Sequence, residues 1–287
     1  MHIIDGRKIK DKILSDIKKE VKNLPFVPVF SDVLVGNDPS SMQYVKMKAR
    51  TAESLGIKFH NADFPSSITT EELVKEISIL NKIENMCGII VQLPLPESID
   101  KKSVLDAIDP KLDVDCLGRI ASEKFYKGEK CPGFPAALAC IYLLDSLNID
   151  LSKKGFVVLG QGELVGKPVT ALLRRRGLSI QTVDKNTKDK EKIIKGADVI
   201  ISGMGSGRYI TGEMIREGVI IIDAGTSESE GSIVGDVDMQ SVKDKTGFIS
   251  PVPGGVGPVT VAMLFKNVLE VAKSFANNQD NFIKSNI

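Results

Sequence analysis

Gly155-Phe156-Val157-Val158-Leu159-Gly160-Gln161-Gly162-Glu163-Leu164-Val165-Gly166 reads as a buried strand that runs straight into a glycine-rich turn. A helical pattern follows, from about Val165 to Arg176. Glycine permits the tight turn and lets backbone amides approach a pyrophosphate at the helix N-terminus. The spacing is GxGxxxG rather than GxGxxG, so the weight comes from the strand-turn-helix context and not from the motif alone. Glycines in such a turn can also serve packing only. Further strands are expected at Ser179–Val183, Ala197–Ser202 and Val219–Asp223, which makes this half of the chain a series of βαβ units on a mainly parallel sheet.

The same alternation precedes it. Helical signals occupy roughly 6–23, 40–56 and 70–84, with apolar extended runs at Val27–Val35 and Cys87–Gln92. Segment 134–147 is apolar all round, as buried helices are, and is expected to bridge two domains. A last helix is expected from about Pro258 to Phe275, followed by a loosely ordered polar tail, Asn277–Ile287.

The chain has 287 residues, longer than one typical core, and fits two domains. It is 42% hydrophobic and 26% charged, ordinary values for a soluble globular protein. The 38 basic and 37 acidic residues nearly cancel, so no global field favours nucleic acid or an anionic membrane. The run Arg174-Arg175-Arg176 closes a helical segment, where cations complement the helix dipole, and is read as structural. Cys87, Cys116, Cys131 and Cys140 form no CxxC pair, and His2 and His60 are the only histidines. A His/Cys zinc site is therefore not expected, and neither is a zinc-dependent deaminase or hydrolase. The cysteines read as small buried thiols. No signal peptide and no membrane-length apolar run is visible, and the expected location is the cytoplasm.

Four further segments carry chemistry. Pro251-Val252-Pro253-Gly254-Gly255-Val256-Gly257-Pro258-Val259-Thr260 is at once permissive and stiff, and suits the wall of a site. Tyr44 and Lys48 lie four apart in a helical segment and share one face. Val91-Gln92-Leu93-Pro94-Leu95-Pro96 ends a buried strand on a glutamine before a Pro-rich turn, and Asp113-Val114-Asp115 follows. Each has a plainer explanation: a solvated helix edge, a satisfied strand end, a capped turn.

Taken together, in this order and over nearly the whole chain, these segments resemble the bifunctional methylenetetrahydrofolate dehydrogenase/methenyltetrahydrofolate cyclohydrolase family. The resemblance implies an α/β chain with a folate-binding catalytic domain over 1–134, completed by the C-terminal helix 258–275 returning to it. A Rossmann-type, doubly wound dinucleotide-binding domain would span 135–257. It implies NADP-dependent oxidation of 5,10-methylenetetrahydrofolate to the methenyl cation, then hydrolysis to 10-formyltetrahydrofolate, with no metal. Lys48 would move protons in the hydrolysis, since partial burial and the cationic substrate both disfavour its charged form. Gln92 would hold the Lys48 amine, Tyr44 would stack on the folate ring system, and Asp115 would accept from the pterin. Pro253, Gly254 and Gly255 would line the folate cleft between the domains.

Cofactor contacts implied are Gly160, Gln161, Gly162, Lys185 and Thr226. Asp184 and Lys185 conflict at the ribose-reading position: an acid favours NAD and a base NADP. NADP is the expected cofactor, with NAD as the alternative. The family also implies a homodimer and a link to purine biosynthesis. Two departures stand out. Pro132-Gly133-Phe134-Pro135 replaces the usual proline-cysteine-threonine-proline run, and Cys116 stands where glycine normally follows the DVD segment. Rival readings are a dehydrogenase-only member, a Rossmann dehydrogenase of amino or hydroxy acids, and a non-catalytic nucleotide-binding regulator. The last two leave the first-half motifs unexplained.

Overall fold

A computed structural model describes residues 1–229 and 231–285, with side chains described through Asn277. It divides into two compact units: Met1–Asp11 with Phe134–Met263, and Lys12–Gly133 with Leu264 onward. In chain order the elements are β1 (His2–Ile3), α1 (Gly6–Val21), β2 (Val29–Val35), α2 (Pro39–Leu55), β3 (Lys58–Phe64), α3 (Thr70–Leu80), β4 (Met86–Val91), α4 (Lys101–Asp106), α5 (Arg119–Lys127) and α6 (Pro135–Asp145). There follow β5 (Gly155–Leu159), α7 (Gly166–Arg175), β6 (Ser179–Val183), α8 (Lys190–Lys195), β7 (Val199–Ser202), β8 (Val219–Asp223), β9 (Ser227–Ser229), β10 (Ser232–Val234), α9 (Met239–Val242), β11 (Thr246–Ser250) and α10 (Val256–Ser285).

The unit containing Lys12–Gly133 is built on a three-stranded parallel sheet ordered β3-β2-β4. Central β2 is buried at every position, as is β4. β4 reads as a continuous apolar run, and β2 as one broken only by Ser31 and Asp32, because helices cover both faces of a parallel sheet. Helix α2 starts on Asp38, whose carboxylate accepts from Ser41 N at 2.7 Å, with Pro39 in the first turn, and stops on Gly56 in the left-handed region. Its buried stripe is Ser41, Val45, Lys48, Ala52 and Leu55. The spacing is that of an amphipathic helix, with a lysine set into the apolar face.

The other unit carries a six-stranded, wholly parallel sheet ordered β1-β11-β8-β7-β5-β6. Chain order therefore reverses at β5, whose neighbours are β6 and β7, in the doubly wound arrangement expected. Ligands of such sheets bind beyond the carboxyl ends of the strands at the reversal point. Arg176 forms a bidentate pair with Asp145 at 2.5 and 2.8 Å, the structural use expected of the arginine run.

Several expectations need adjusting. Helix α10 begins at Val256, so Pro258 lies inside its first turn, where a missing N–H costs nothing. It continues through Ser285, so Asn277–Ser285 are helical rather than a loose tail; residues 286 and 287 lie outside the described residues. Strand β3 was not expected. It is an edge strand with only Ala62 fully buried, and its Lys58, His60, Asn61 and Asp63 hide the apolar signal. Helix α6 falls within one compact unit.

Candidate active site

Lys48 lies on the buried stripe of α2 and is 8% exposed. Its Nζ donates to Gln92 Oε1 at 2.8 Å, and Gln92 Nε2 donates to Leu93 O at 2.9 Å. Because the amide donates away, its oxygen is left facing the amine. Gln92 is fixed in turn by its own N–H, which donates to Val33 O at 2.9 Å and continues the β2–β4 pairing past the end of β4. The VQLPLP motif thus places an acceptor at a strand end against a lysine on the covering helix.

A third group was not anticipated from sequence. Asp32, in the middle of β2 and wholly buried, sets Oδ2 2.7 Å from Lys48 Nζ. The contact is an ion pair; neither carboxylate oxygen of Asp32 has a directed hydrogen bond. Burial pushes the Asp32 carboxyl up, the Lys48 charge pulls it down, and Asp63 on β3 adds a smaller upward push. The signal in the sequence was a charged residue inside an otherwise apolar strand, which is rare without a partner.

Asp115 sits on the loop between α4 and α5. Burial, offset by Lys48 and reinforced by Asp113 and Asp32, pushes its carboxyl up to about 7, although the residue keeps part of its surface. The loop is held from below by Asp113, whose Oδ2 accepts from Gly118 N at 2.7 Å. Cys116 adopts φ 62°, in the left-handed region. The glycine usual there in the resembling family thus has a physical reason, and the cysteine bears some strain. Tyr44, one turn before Lys48, is 48% exposed. Lys48, Gln92, Asp115 and Tyr44 all belong to the unit of Lys12–Gly133; the first three form one charged cluster with Asp32, and Tyr44 is an open flank.

The glycine turn belongs to the other unit. Gly160 has φ 80°, and a side chain there would meet Gly203 O at 2.7 Å. A side chain at Gly166 would collide with the Gly160 carbonyl, which packs helix α7 tightly onto the turn. Gly162 has open space where a Cβ would stand. Two glycines are thus demanded by packing, and the middle one leaves bare backbone at the start of α7. That cradle fits a dinucleotide pyrophosphate. Gln161 turns its Nε2 back to Gly160 O at 3.0 Å. Asp184 is exposed, and its Oδ1 accepts from Asn186 N at 2.9 Å and Thr187 Oγ1 at 3.0 Å, closing its own turn. Those contacts hold its carboxyl below the usual range. Lys185 and Thr226 are exposed. In the same unit, Gly254 has φ 110°, Gly255 N donates to Pro251 O at 2.7 Å, and Pro253 is exposed.

Two buried acids that the sequence reading passed over fix the loops around this cradle. Asp236 accepts from Ser202 Oγ at 2.6 Å, Met204 N at 2.8 Å and Ser206 N at 2.6 Å. Asp223 accepts from Gly225 N at 3.0 Å, Asp236 N at 3.1 Å and Val237 N at 3.0 Å. Burial and the Asp236 charge push Asp223 up to about 6, against the pull of those amides.

Among the described residues, no group of three or more His, Cys, Asp or Glu could hold a metal, and no helix is long and apolar enough to cross a membrane. None of the four cysteines forms a disulfide, and all but Cys131 are buried.

Comparison with known proteins agrees in both halves. Residues 4–115 match the tetrahydrofolate dehydrogenase/cyclohydrolase catalytic domain, and residues 135–276 match the NAD(P)-binding domain of the same family. The bifunctional protein FolD of Nautilia profundicola is 40% identical over 280 residues, covering 96% of this chain and 99% of that protein. The crystal structure of the bifunctional FolD methylenetetrahydrofolate dehydrogenase/cyclohydrolase of Campylobacter jejuni superposes with a TM-score of 0.92 at 36% identity, covering 96% of this chain and 99% of that one. The Trypanosoma brucei FolD structure, complexed with NADP and an inhibitor, gives a TM-score of 0.88 at 33% identity over 95% and 97%. With both halves matched in order and nearly end to end, the chain belongs to the tetrahydrofolate dehydrogenase/cyclohydrolase family.

Proposed function

We propose that the two activities of this bifunctional enzyme divide between the residues described above. The enzyme oxidises 5,10-methylenetetrahydrofolate to the 5,10-methenyl cation with NADP, and hydrolyses the cation to 10-formyltetrahydrofolate. The proposed folate-binding catalytic domain is 1–134 with helix 258–275, less Met1–Asp11, which join 135–257 in the dinucleotide domain through the pairing of β1 with β11.

In the oxidation the folate nitrogen lone pair supports the departing hydride, so the protein aligns donor and acceptor. Tyr44 stacks on the folate rings, and Asp115 accepts from the amino and ring N–H groups of the pterin. Pro253, Gly254 and Gly255 give the folate a stiff wall. Gly160, Gln161, Gly162, Lys185 and Thr226 hold NADP, which when bound supplies the hydride acceptor. Asp184 is engaged in its own turn, which leaves Lys185 as the group free to meet a 2′-phosphate.

In the hydrolysis water adds to the methenyl carbon and gives one proton to Lys48. The carbon–N5 bond then breaks, N5 takes a proton, the new hydroxyl becomes the formyl carbonyl, and one proton leaves to solvent. Lys48 carries these transfers, with Gln92 keeping its amine in place. The Lys48–Gln92 hydrogen bond is the observation that carries this reading. The proposed location is the cytoplasm, and the near balance of 38 basic and 37 acidic residues gives no global field for nucleic acid or an anionic membrane. The enzyme acts as a homodimer and supplies formyl groups to purine biosynthesis.

Lys48→Ala tests the assignment. The expected result is a cyclohydrolase rate lower by about 10²–10⁴ with NADP reduction persisting; undiminished hydrolysis would overturn it.

A further inference from the structure

Lys48 is flanked by two oxygens of different character, and the reaction chemistry described above uses only Gln92. Gln92 cannot ionise, whereas Asp32 can. Its carboxylate is wholly buried, lies 2.7 Å from Nζ, and has no backbone or side-chain donor other than Lys48. Most buried carboxylates are held by several donors, as Asp236 is by three. One held only by a neighbouring charge loses its support as soon as that neighbour gives up its proton.

We infer that Asp32 is the internal proton partner of Lys48: it takes the Lys48 proton when the cationic folate arrives and releases it to solvent once hydrolysis has re-protonated Lys48. The inference rests on the assignment of Lys48 to the cyclohydrolase step. In the resting pair Lys48 is an ammonium and Asp32 a carboxylate. The methenyl cation, bound nearby, repels the ammonium, and one proton moves from Nζ to a carboxyl oxygen of Asp32. The free amine then accepts a proton from the attacking water. After N5 and the formyl oxygen have exchanged theirs, Asp32 releases the surplus proton and the ion pair is restored. One water enters and one proton leaves, as the overall hydrolysis requires.

The surroundings suit this exchange. Burial favours the neutral carboxyl, and Asp63 on β3 adds in the same direction. Asp115, with Asp113 behind it, faces the cluster from the loop between α4 and α5, Gln92 from the strand end and Lys48 from α2. The proton stays within the cluster, so Lys48 becomes a free amine without losing a proton to solvent. The hydrolysis should therefore vary little with pH through neutrality.

The test is Asp32→Asn, which keeps shape and removes the acceptor. Methenyltetrahydrofolate consumption is followed from pH 6 to 9 against the spontaneous rate, with NADP reduction measured in the same samples. The expected result is a cyclohydrolase-to-dehydrogenase ratio at least about tenfold lower at pH 7, with the hydrolysis now climbing steeply with pH. A wild-type ratio and profile would make Asp32 a packing residue and overturn the inference. A variant faster than wild type would show that Asp32 holds the proton on Lys48, and would overturn it too. If the variant does not fold, the infrared difference spectrum of the wild-type enzyme decides. Binding a non-hydrolysable cationic folate should add a protonated-carboxyl band, and its absence rejects the exchange. Lys48→Ala separates the levels: hydrolysis surviving in that variant sinks the catalytic assignment, while hydrolysis lost there but unchanged in Asp32→Asn sinks only the role of Asp32.

Discussion

Asn267, on α10, donates from its Nδ2 to Val114 O at 2.8 Å and also reaches Gly133 O at 2.7 Å. One buried amide thus pins the residue between Asp113 and Asp115 to a helix 153 residues further along the chain. The C-terminal helix is therefore part of the scaffold that aims Asp115.

Asn267→Leu keeps the volume and leaves two carbonyls without their donor. Each unsatisfied buried group costs about 1–3 kcal/mol. The thermal midpoint should fall by several degrees, and KM for the folate should rise more than kcat falls, because the loop positions substrate. Calorimetry and steady-state kinetics read both. An unchanged KM would mean that Asp113 alone holds the loop.

Asp115, with its carboxyl at about 7, links folate binding to pH. If Asp115 holds the pterin as proposed, it accepts as an anion above that value, and below it the proton removes one acceptor site. Folate affinity should weaken as pH falls from 8 to 6, while the profile of an Asp115→Asn variant should be flat and its affinity low throughout. Stability runs the other way. A carboxyl raised on folding stabilises the fold below its unfolded value, near 3.8, and that contribution is lost as pH rises through about 7. At pH 8 Asp115→Asn should therefore melt at a higher temperature than wild type. Binding and melting curves at pH 6 and 8 check both signs.

Asp223 collects three backbone amides from two segments, Gly225 on one side and Asp236 with Val237 on the other. An asparagine presents one oxygen in place of two, so Asp223→Asn should leave at least one amide unpaired, at about 1–3 kcal/mol. The expected phenotype is a raised KM for NADP with cyclohydrolase, assayed from methenyltetrahydrofolate, unaffected. Loss of both activities together would indicate general unfolding, which circular dichroism would detect.

The parts of this fold that were legible are those where burial is two-sided. Strands β2, β4, β5 and β8 read as apolar runs because both faces are covered. Edge strand β3 was not legible, since its exposed positions carry Lys58, Asn61 and Asp63. The same habit of reading explains the treatment of Asp32. Val27–Val35 reads as an apolar run and Asp32 within it was passed over, although an acid at the centre of a buried strand demands a partner. Lys48 was singled out by its motif, yet its place on the stripe Ser41, Val45, Lys48, Ala52 already put a cation in the core. Two opposite charges, each misplaced by the apolar pattern of its own element, are a pair that sequence can suggest and only packing can join.

In the proposed site, Lys185 selects NADP. Acid and base stand side by side at the ribose end, and sequence left them in conflict. The structure gives Asp184 another occupation: its carboxylate closes the turn to Asn186 and Thr187. Turning it to the ribose hydroxyls of NAD would give up both bonds. Lys185 remains exposed, and an ammonium meeting a 2′-phosphate forms a charge-assisted bond worth about 1.5–3 kcal/mol. Lys185→Ala should thus raise KM for NADP by roughly tenfold to a hundredfold and leave KM for NAD nearly unchanged. The loss should shrink at high salt, because the contact is open to solvent. Asp184→Ala should loosen the turn without making NAD the better substrate. If Asp184→Ala instead weakened NAD use selectively, the acid would be reading the ribose after all, and the assignment of Lys185 would fail.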